Sequence, residues 1–260
     1  MELGIQGKRA IITGGSKGIG FATAMLLAAE GAQVALIARN EVALQEAARR
    51  IAEKTGIEPL IVAADVSVEQ EVQRAAAAVA ERFGGIDILV NNAGTSAAKP
   101  FDQVDTPAWT ADLDLKLYGA VHFARAALPY MRQAGGGAIV NVTAVGGKTP
   151  SGSSLPTSVS RAAGLALTKA MSKDLASDGI RVNAVCIGLI RSDQIERMWQ
   201  ATAPHLTWEE FAADPRHDIP LGRIGRAEEA ANVIAFLISE AASYVTGTAI
   251  NIDGGKASVL

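Results

Sequence analysis

The residues whose types and spacing point most directly to chemistry lie near the start of the chain. Thr13-Gly14-Gly15-Ser16-Lys17-Gly18-Ile19-Gly20 joins a short apolar run to a helical pattern. Glycines at 14, 18 and 20 let the backbone turn tightly and approach an anion closely. The helix start that follows offers unsatisfied N–H groups and the positive end of its dipole. Gly14, Ser16, Lys17, Gly18, Ile19 and Gly20 therefore read as a cradle for the diphosphate of a dinucleotide. Any tight strand-to-helix turn favours glycine, so the signal gains its weight from falling in the first strand–helix–strand unit. At the end of the second strand, where an acid would accept hydrogen bonds from the ribose of NAD, the chain has Ala38-Arg39-Asn40. Arg39 suits a 2′-phosphate, and Lys17 can add a second positive charge. The alternative reads both as solvated surface cations. NADP(H) is expected in preference to NAD(H).

The elements that must position this cradle follow from the hydrophobic pattern. Short apolar runs at 9–13, 33–38, 58–64, 86–90, 138–143, 180–185 and 248–252 alternate with helical stretches at 19–30, 41–55, 68–83, 107–132, 157–177 and 227–239. Such repetition predicts a doubly wound α/β fold: a single-domain Rossmann arrangement over 1–260, with seven parallel strands and helices on both faces. Gly31, Gly56, Gly84 and Gly135 each follow a helical stretch, where a left-handed residue closes the last turn. The segment 192–223, with Trp199 and Trp208, is long for a connection. It reads either as a lid or substrate loop, or as a helical insertion packed for stability.

Composition narrows the partners. The chain has 260 residues, is 49% hydrophobic and 20% charged, and carries a net charge of −3. There is no basic footprint for nucleic acid. Apolar runs such as 75–80 are too short to cross a bilayer, and Met1-Glu2-Leu3-Gly4-Ile5 leads directly into a strand pattern without a signal peptide. Cys186 is the single cysteine, which excludes an internal disulfide and fits a reducing compartment. A cytoplasmic protein that neither spans nor binds membrane is expected. No His/Cys/Asp cluster has metal-ligand spacing, so no metal is expected.

Several further motifs, in order along nearly the whole chain, resemble the short-chain dehydrogenase/reductase family. The glycine turn is similar to its cofactor signature, and Asp65-Val66 to the pair after its third strand. Asn91-Asn92-Ala93-Gly94 is similar to the motif ending its fourth strand, and Arg181-Val182-Asn183-Ala184-Val185 to its sixth. Ile219-Pro220-Leu221-Gly222-Arg223 and the runs Tyr244-Val245-Thr246-Gly247 and Asp253-Gly254-Gly255 resemble its C-terminal signatures. The resemblance implies that Asp65, Val66, Asn91, Ala93, Gly94, Arg161, Gly188 and Ile190 join the cradle residues in holding the cofactor. It also implies hydride transfer between nicotinamide and a small carbonyl or alcohol. The family's Pro-Gly after the sixth strand appears here as Ile187-Gly188, and its later threonine as Ser192.

The chain departs from the family at all four catalytic positions. Thr157 stands where the tyrosine belongs, Arg161 where the lysine belongs, Ala144 at the serine with Thr143 beside it, and Lys116 at the asparagine. The three tyrosines, Tyr118, Tyr130 and Tyr244, fall in other elements. A threonine hydroxyl orients a carbonyl but is far too weak an acid to act alone near neutral pH. Arg161 offers charge and ribose hydrogen bonds but does not shuttle protons. A lysine partly desolvated beside a cation can have its pKa pulled down and become a proton donor. Lys116 is thus the candidate proton source, with Thr157 or Thr143 positioning the substrate oxygen. The competing reading is a helix-surface lysine paired with Asp112 or Asp114. His122 reads as a packed or interface residue, His205 and His217 as loop histidines that either touch substrate or do nothing chemical, the serines at 151, 153 and 154 as a solvated loop, and Cys186 as a small buried side chain.

Three functions remain at this level: an NADP(H)-dependent oxidoreductase with a non-standard proton donor, a catalytically inactive dinucleotide-binding sensor or scaffold, and an enzyme using Lys116 for non-hydride chemistry. The resemblance also implies a homotetramer or homodimer. Alanine-rich faces at 162–170 and 227–235 suit either that assembly or close packing within the chain.

Overall fold

The strand runs pair into one sheet. In a computed structural model describing residues 2–260, the strands are β1 (Arg9–Thr13), β2 (Gln33–Ala38), β3 (Leu60–Ala63), β4 (Ile88–Asn91), β5 (Gly137–Ala144), β6 (Ile180–Ile187) and β7 (Ala249–Ile252). Met1 lies outside the described residues. The seven strands run parallel in the order β3-β2-β1-β4-β5-β6-β7. The helices are α1 (Gly18–Ala29), α2 (Glu41–Thr55), α3 (Glu69–Phe83), α4 (Thr106–Leu113), α5 (Gly119–Gln133), α6 (Thr157–Asp174), α7 (Asp193–Thr202), α8 (Trp208–Ala212) and α9 (Ala227–Ile238).

Strand alternation divides the core. Ile12 and Leu36 face one side and pack with Leu27 of α1 and Ile234 of α9. Their neighbours Ile11 and Ile37 face the other and pack with Val79 of α3 and Phe123 of α5. Both faces of β1 and β2 are thus covered, which is why their runs are apolar throughout and not alternating. Local signals fix the helix ends. The Asn40 side chain accepts a hydrogen bond from the Ala43 amide at 2.9 Å to start α2, and Gly56 closes it at φ +74°.

One element differs from the sequence expectation. The helix expected over 107–132 is continuous from Thr106 to Gln133 but carries a π-helical turn at Asp114–Tyr118 between α4 and α5, with Lys116 inside the widened turn. Such turns insert a residue into the helical register and re-aim the side chains around it. The 192–223 segment carries α7 and α8 over a small core of Ile195, Phe211 and Ala212 with Ile224 just beyond it, and Trp199 packs edge-on to Trp208.

The alanine-rich faces also separate. Ala230, Ala231 and Ala235 of α9 are buried within the chain, Ala230 and Ala235 in the core that α9 shares with α1. Ala162, Ala166 and Ala170 of α6 are exposed. Among the described residues no helix is long and apolar enough to cross a membrane.

Candidate active site

The strand order reverses direction between β1 and β4, and the crevice beyond their carboxyl ends is where such sheets bind ligands. Here the two strand ends are tied together. Thr13 Oγ1 accepts from the amides of Asn92 at 2.9 Å and Ala93 at 3.0 Å. Asn92 Nδ2 donates to the carbonyls of Thr13 at 3.0 Å and Gly14 at 3.3 Å.

A cleft of about 590 Å³ opens from this point. Gly14, Ser16, Lys17, Gly18, Ile19 and Arg39 line one end; Gly94, Thr157, Arg161, Gly188 and Ile190 are among the residues lining the rest. No side chain caps α1, so the first-turn N–H groups of that helix remain available to an anion. A larger apolar groove, of about 670 Å³, lies between α1, α2 and α9, but it holds neither the glycine turn nor a strand end.

The cradle fits a dinucleotide on two structural grounds. Gly18 adopts φ +55° at the mouth of the turn, where a side chain is strained. At the far end, Arg161 is almost unpartnered: Nη1 donates to the Val142 carbonyl at 2.7 Å, whereas its buried Nε has no partner. A Cβ on Gly94 would stand 2.8 Å from Arg161 Nη2, so a glycine there lets the guanidinium enter. Burial pulls the Arg161 pKa down to about 10. A guanidinium with free donors suits ribose hydroxyls.

Behind the cleft wall lies a buried polar cluster. The Lys116 and Asp112 side chains are 1% and 2% exposed and form an ion pair. Lys116 Nζ also donates to Thr157 Oγ1 at 3.0 Å. Thr157 Oγ1 accepts a second bond from the Ala97 amide at 2.9 Å. With both acceptor positions used, the Thr157 hydroxyl proton is left to point elsewhere, and Thr157 lines the cleft. Burial pulls the Lys116 pKa down to about 8; the Asp112 hydrogen bond opposes that fall and the Arg161 charge reinforces it.

The residues singled out from the sequence therefore divide by position. Thr157 and Arg161 reach the cleft, and Lys116 stands one hydrogen bond behind it, buried and not on the helix surface. Thr143 does not reach it: its hydroxyl, on the opposite face of β5 from Val142 and Ala144, donates to the Val185 carbonyl at 3.1 Å and lies 3.3 Å from Cys186 Sγ. Asn91 is likewise turned inward, donating to Asn141 Oδ1 at 2.9 Å, while its neighbour Asn92 lines the cleft. The alternation of side chains along a strand carried that signal.

Gly20 lies beneath the turn, and Asp65 stands at the end of β3 with its carboxylate 3.7 Å from Arg39. Val66 and Ala93 do not line the cleft; the Val66 carbonyl contacts His122 Nδ1 at 3.2 Å, and Ala93 packs at the β1–β4 tie. Lys17 is paired with Asp193 of α7 at 2.7 Å, while Arg39 extends into solvent with 76% of its side chain exposed. Gln194 Oε1 accepts from the Ser96 amide at 3.0 Å, which ties α7 to the loop after β4.

Sequence reasoning missed Asp112 as a site residue and Ser160 altogether. Ser160 Oγ donates to Asp112 Oδ2 at 2.6 Å across the α4–α6 contact. The spacing of Asp112 four residues before Lys116 was visible, but nothing in the sequence marked the pair as buried.

Comparison with known proteins agrees with this geometry. A family model described as enoyl-(acyl carrier protein) reductase matches residues 14–257. A 3-oxoacyl-[acyl-carrier-protein] reductase of Aquifex aeolicus is 35% identical over 255 residues, covering 98% of this chain and 99% of the relative. The structure of L-sorbose reductase from Gluconobacter frateurii, complexed with NADPH and L-sorbose, superposes with a TM-score of 0.94 at 36% identity and full coverage of both chains. A short-chain oxidoreductase of Pseudomonas aeruginosa, described as containing an atypical catalytic center, superposes with a TM-score of 0.95 at 35% identity, covering 99% of this chain and 100% of that one.

Proposed function

From the premise that this chain belongs to the short-chain dehydrogenase/reductase family of oxidoreductases, we propose that it is an NADP(H)-dependent carbonyl reductase whose proton travels from Lys116 through Thr157. The observation that carries the reading is the doubly accepting Thr157 hydroxyl between the Lys116 ammonium and the cleft. NADPH, when bound, would supply a hydride to the substrate carbonyl carbon. The carbonyl oxygen, held by the Thr157 O–H, becomes an alkoxide and takes that proton as Thr157 Oγ1 takes one from Lys116 Nζ. Lys116 is left neutral and recovers a proton from water once the product leaves. Thr157 need not be an acid of its own, because it passes on a proton that lysine provides.

Around the cofactor, Gly14, Ser16, Gly18, Ile19 and the start of α1 would hold the diphosphate, and Arg161 the nicotinamide ribose. Gly188 and Ile190 would border the nicotinamide, and Asp65 the adenine. The segment 192–223 would act as substrate loop and lid. Cations Lys17, Arg39, Arg161 and Arg197 line the cleft against the single carboxylate of Asp193, which supports a ligand rich in phosphate. Arg39 is free enough to close on a 2′-phosphate; Lys17 would have to leave Asp193 to join it. Replacing Arg39 with Ala is expected to weaken NADPH binding about 10–100-fold and NADH binding little, as loss of one charge-assisted contact of ~1.5–3 kcal/mol requires. Titration of both nucleotides by fluorescence checks this, and equal loss for both would remove the assignment.

The function itself is tested by following NADPH absorbance across a panel of small carbonyl compounds. Oxidation coupled to formation of the alcohol supports it. Tight NADPH binding without oxidation by any carbonyl would make the chain a dinucleotide-binding sensor or scaffold instead. The exposed alanines of α6 support assembly with further copies as a dimer or tetramer, which sedimentation equilibrium reads directly.

A further inference from the structure

A carboxylate buried behind a reactive lysine has to be explained. Asp112 is 5% exposed, and neither of its oxygens meets solvent-facing partners: Oδ1 takes the Lys116 ammonium and Oδ2 takes the Ser160 hydroxyl at 2.6 Å. Ser160 belongs to α6, and its single hydroxyl proton goes to the nearer acceptor, Asp112 Oδ2, with the Thr157 carbonyl 3.0 Å away, so the carboxylate is held from the same helix that carries Thr157 and Arg161. A buried ion pair costs desolvation that its attraction only partly repays, which makes it poor as a stabilising device by itself.

We propose that Asp112 is the positioning residue of the proton relay, holding the Lys116 ammonium on Thr157 Oγ1 and keeping it charged at neutral pH. The inference rests on the relay proposed above. Among the described residues, the charged groups facing Lys116 are Asp112 from α4 and Arg161 from α6; the loop after β4 approaches it through Gly94 and brings no charge. Burial and Arg161 both favour the neutral amine, and Asp112 alone opposes them. Without that carboxylate, Lys116 would stand deprotonated beside Arg161, an amine with no proton to deliver. Asp112 does not line the cleft, so it acts on the relay through Lys116, while its charge also favours the Arg161 guanidinium.

The test is a pH titration of the full-length protein carrying ¹³C,¹⁵N-labelled lysine, the Lys116 resonance being the one that vanishes in Lys116→Met. Asp112→Asn, close to isosteric, is expected to lower the Lys116 midpoint by at least about one pH unit, a tenfold loss of proton affinity. The pH at which carbonyl reduction falls off is expected to drop by the same amount. A purely structural role would lower the rate at every pH and leave both midpoints in place, and that result overturns the proposal.

Should Asp112→Asn fail to fold, the wild-type chain decides, because the Asp112 carboxyl carbon must show an inflection at the Lys116 midpoint. Its absence also overturns the proposal. The resonance measurement needs no substrate, so it separates this inference from the reading beneath it. Unchanged turnover in Lys116→Met removes the relay. An unmoved midpoint in Asp112→Asn removes only the part given to Asp112.

Discussion

Lys116→Met is expected to slow carbonyl reduction by about 10²–10⁴-fold at neutral pH, the range that loss of a positioned proton donor produces, while leaving NADPH affinity within about twofold. The side chain lies behind the cleft wall and not in it. Removing the ammonium therefore takes away the proton supply without touching the cradle or Arg161. Methionine fills a similar volume, and it also leaves Asp112 without its cation. Some loss of stability is expected for that reason, and circular dichroism at the assay temperature must show a folded protein before the rates are compared.

The pH dependence gives the same claim a sign. Lys116 donates only when protonated, and its pKa is pulled down to about 8. Wild-type reduction is then steady below that pH and falls above it, whereas alcohol oxidation, which needs the neutral amine as acceptor, rises through the same pH. In Lys116→Met the residual rate loses both limbs. Wild-type-like turnover in the variant, or an unchanged alkaline limb, would show that the proton comes from elsewhere.

How far the sequence disclosed this site depended on the kind of signal involved. The glycine turn, the seven strand runs and the crossover helices are written in local patterns, because buried parallel strands need continuous apolar runs and a phosphate turn needs glycine. Arg39 was legible as a strand-end residue in the same way. The relay was legible only as residues missing from a familiar pattern: Thr157, Arg161 and Lys116 could be located, but not their contacts. Lys116, which meets Thr157, lies in the π-helical turn at Asp114–Tyr118, a change of register that no periodicity announces. The Asp112–Ser160 bond is a tertiary contact between helices 48 residues apart in sequence and leaves no local trace. Thr143 is a different case. Its exclusion from the cleft follows from strand alternation once Ala144 is known to face it, and the sequence contained that information.

The second large effect concerns the turn itself. Gly20→Ala is expected to lower stability by about 1–3 kcal/mol, as overpacking at a tight contact does, and to weaken NADPH binding at least tenfold, or ~1.4 kcal/mol. A Cβ at position 20 would stand 2.3 Å from the Gly14 carbonyl oxygen and 2.5 Å from Asn92 Nδ2. Both are parts of the tie that joins β1 to β4, since Asn92 Nδ2 holds the carbonyls of Thr13 and Gly14. Neither can yield at the end of a flexible chain: one is backbone, and the other is a short amide pinned by two acceptors. The Gly14 peptide must rotate, and the first-turn N–H groups of α1 then no longer converge on one diphosphate. Gly152 provides the control, with nothing within 4 Å of its Cβ position and no positive φ; Gly152→Ala should leave the melting temperature and the nucleotide titration unchanged. If Gly20→Ala bound NADPH as tightly as the wild type, the turn would not be where the diphosphate sits, and the cofactor assignment would fail with it.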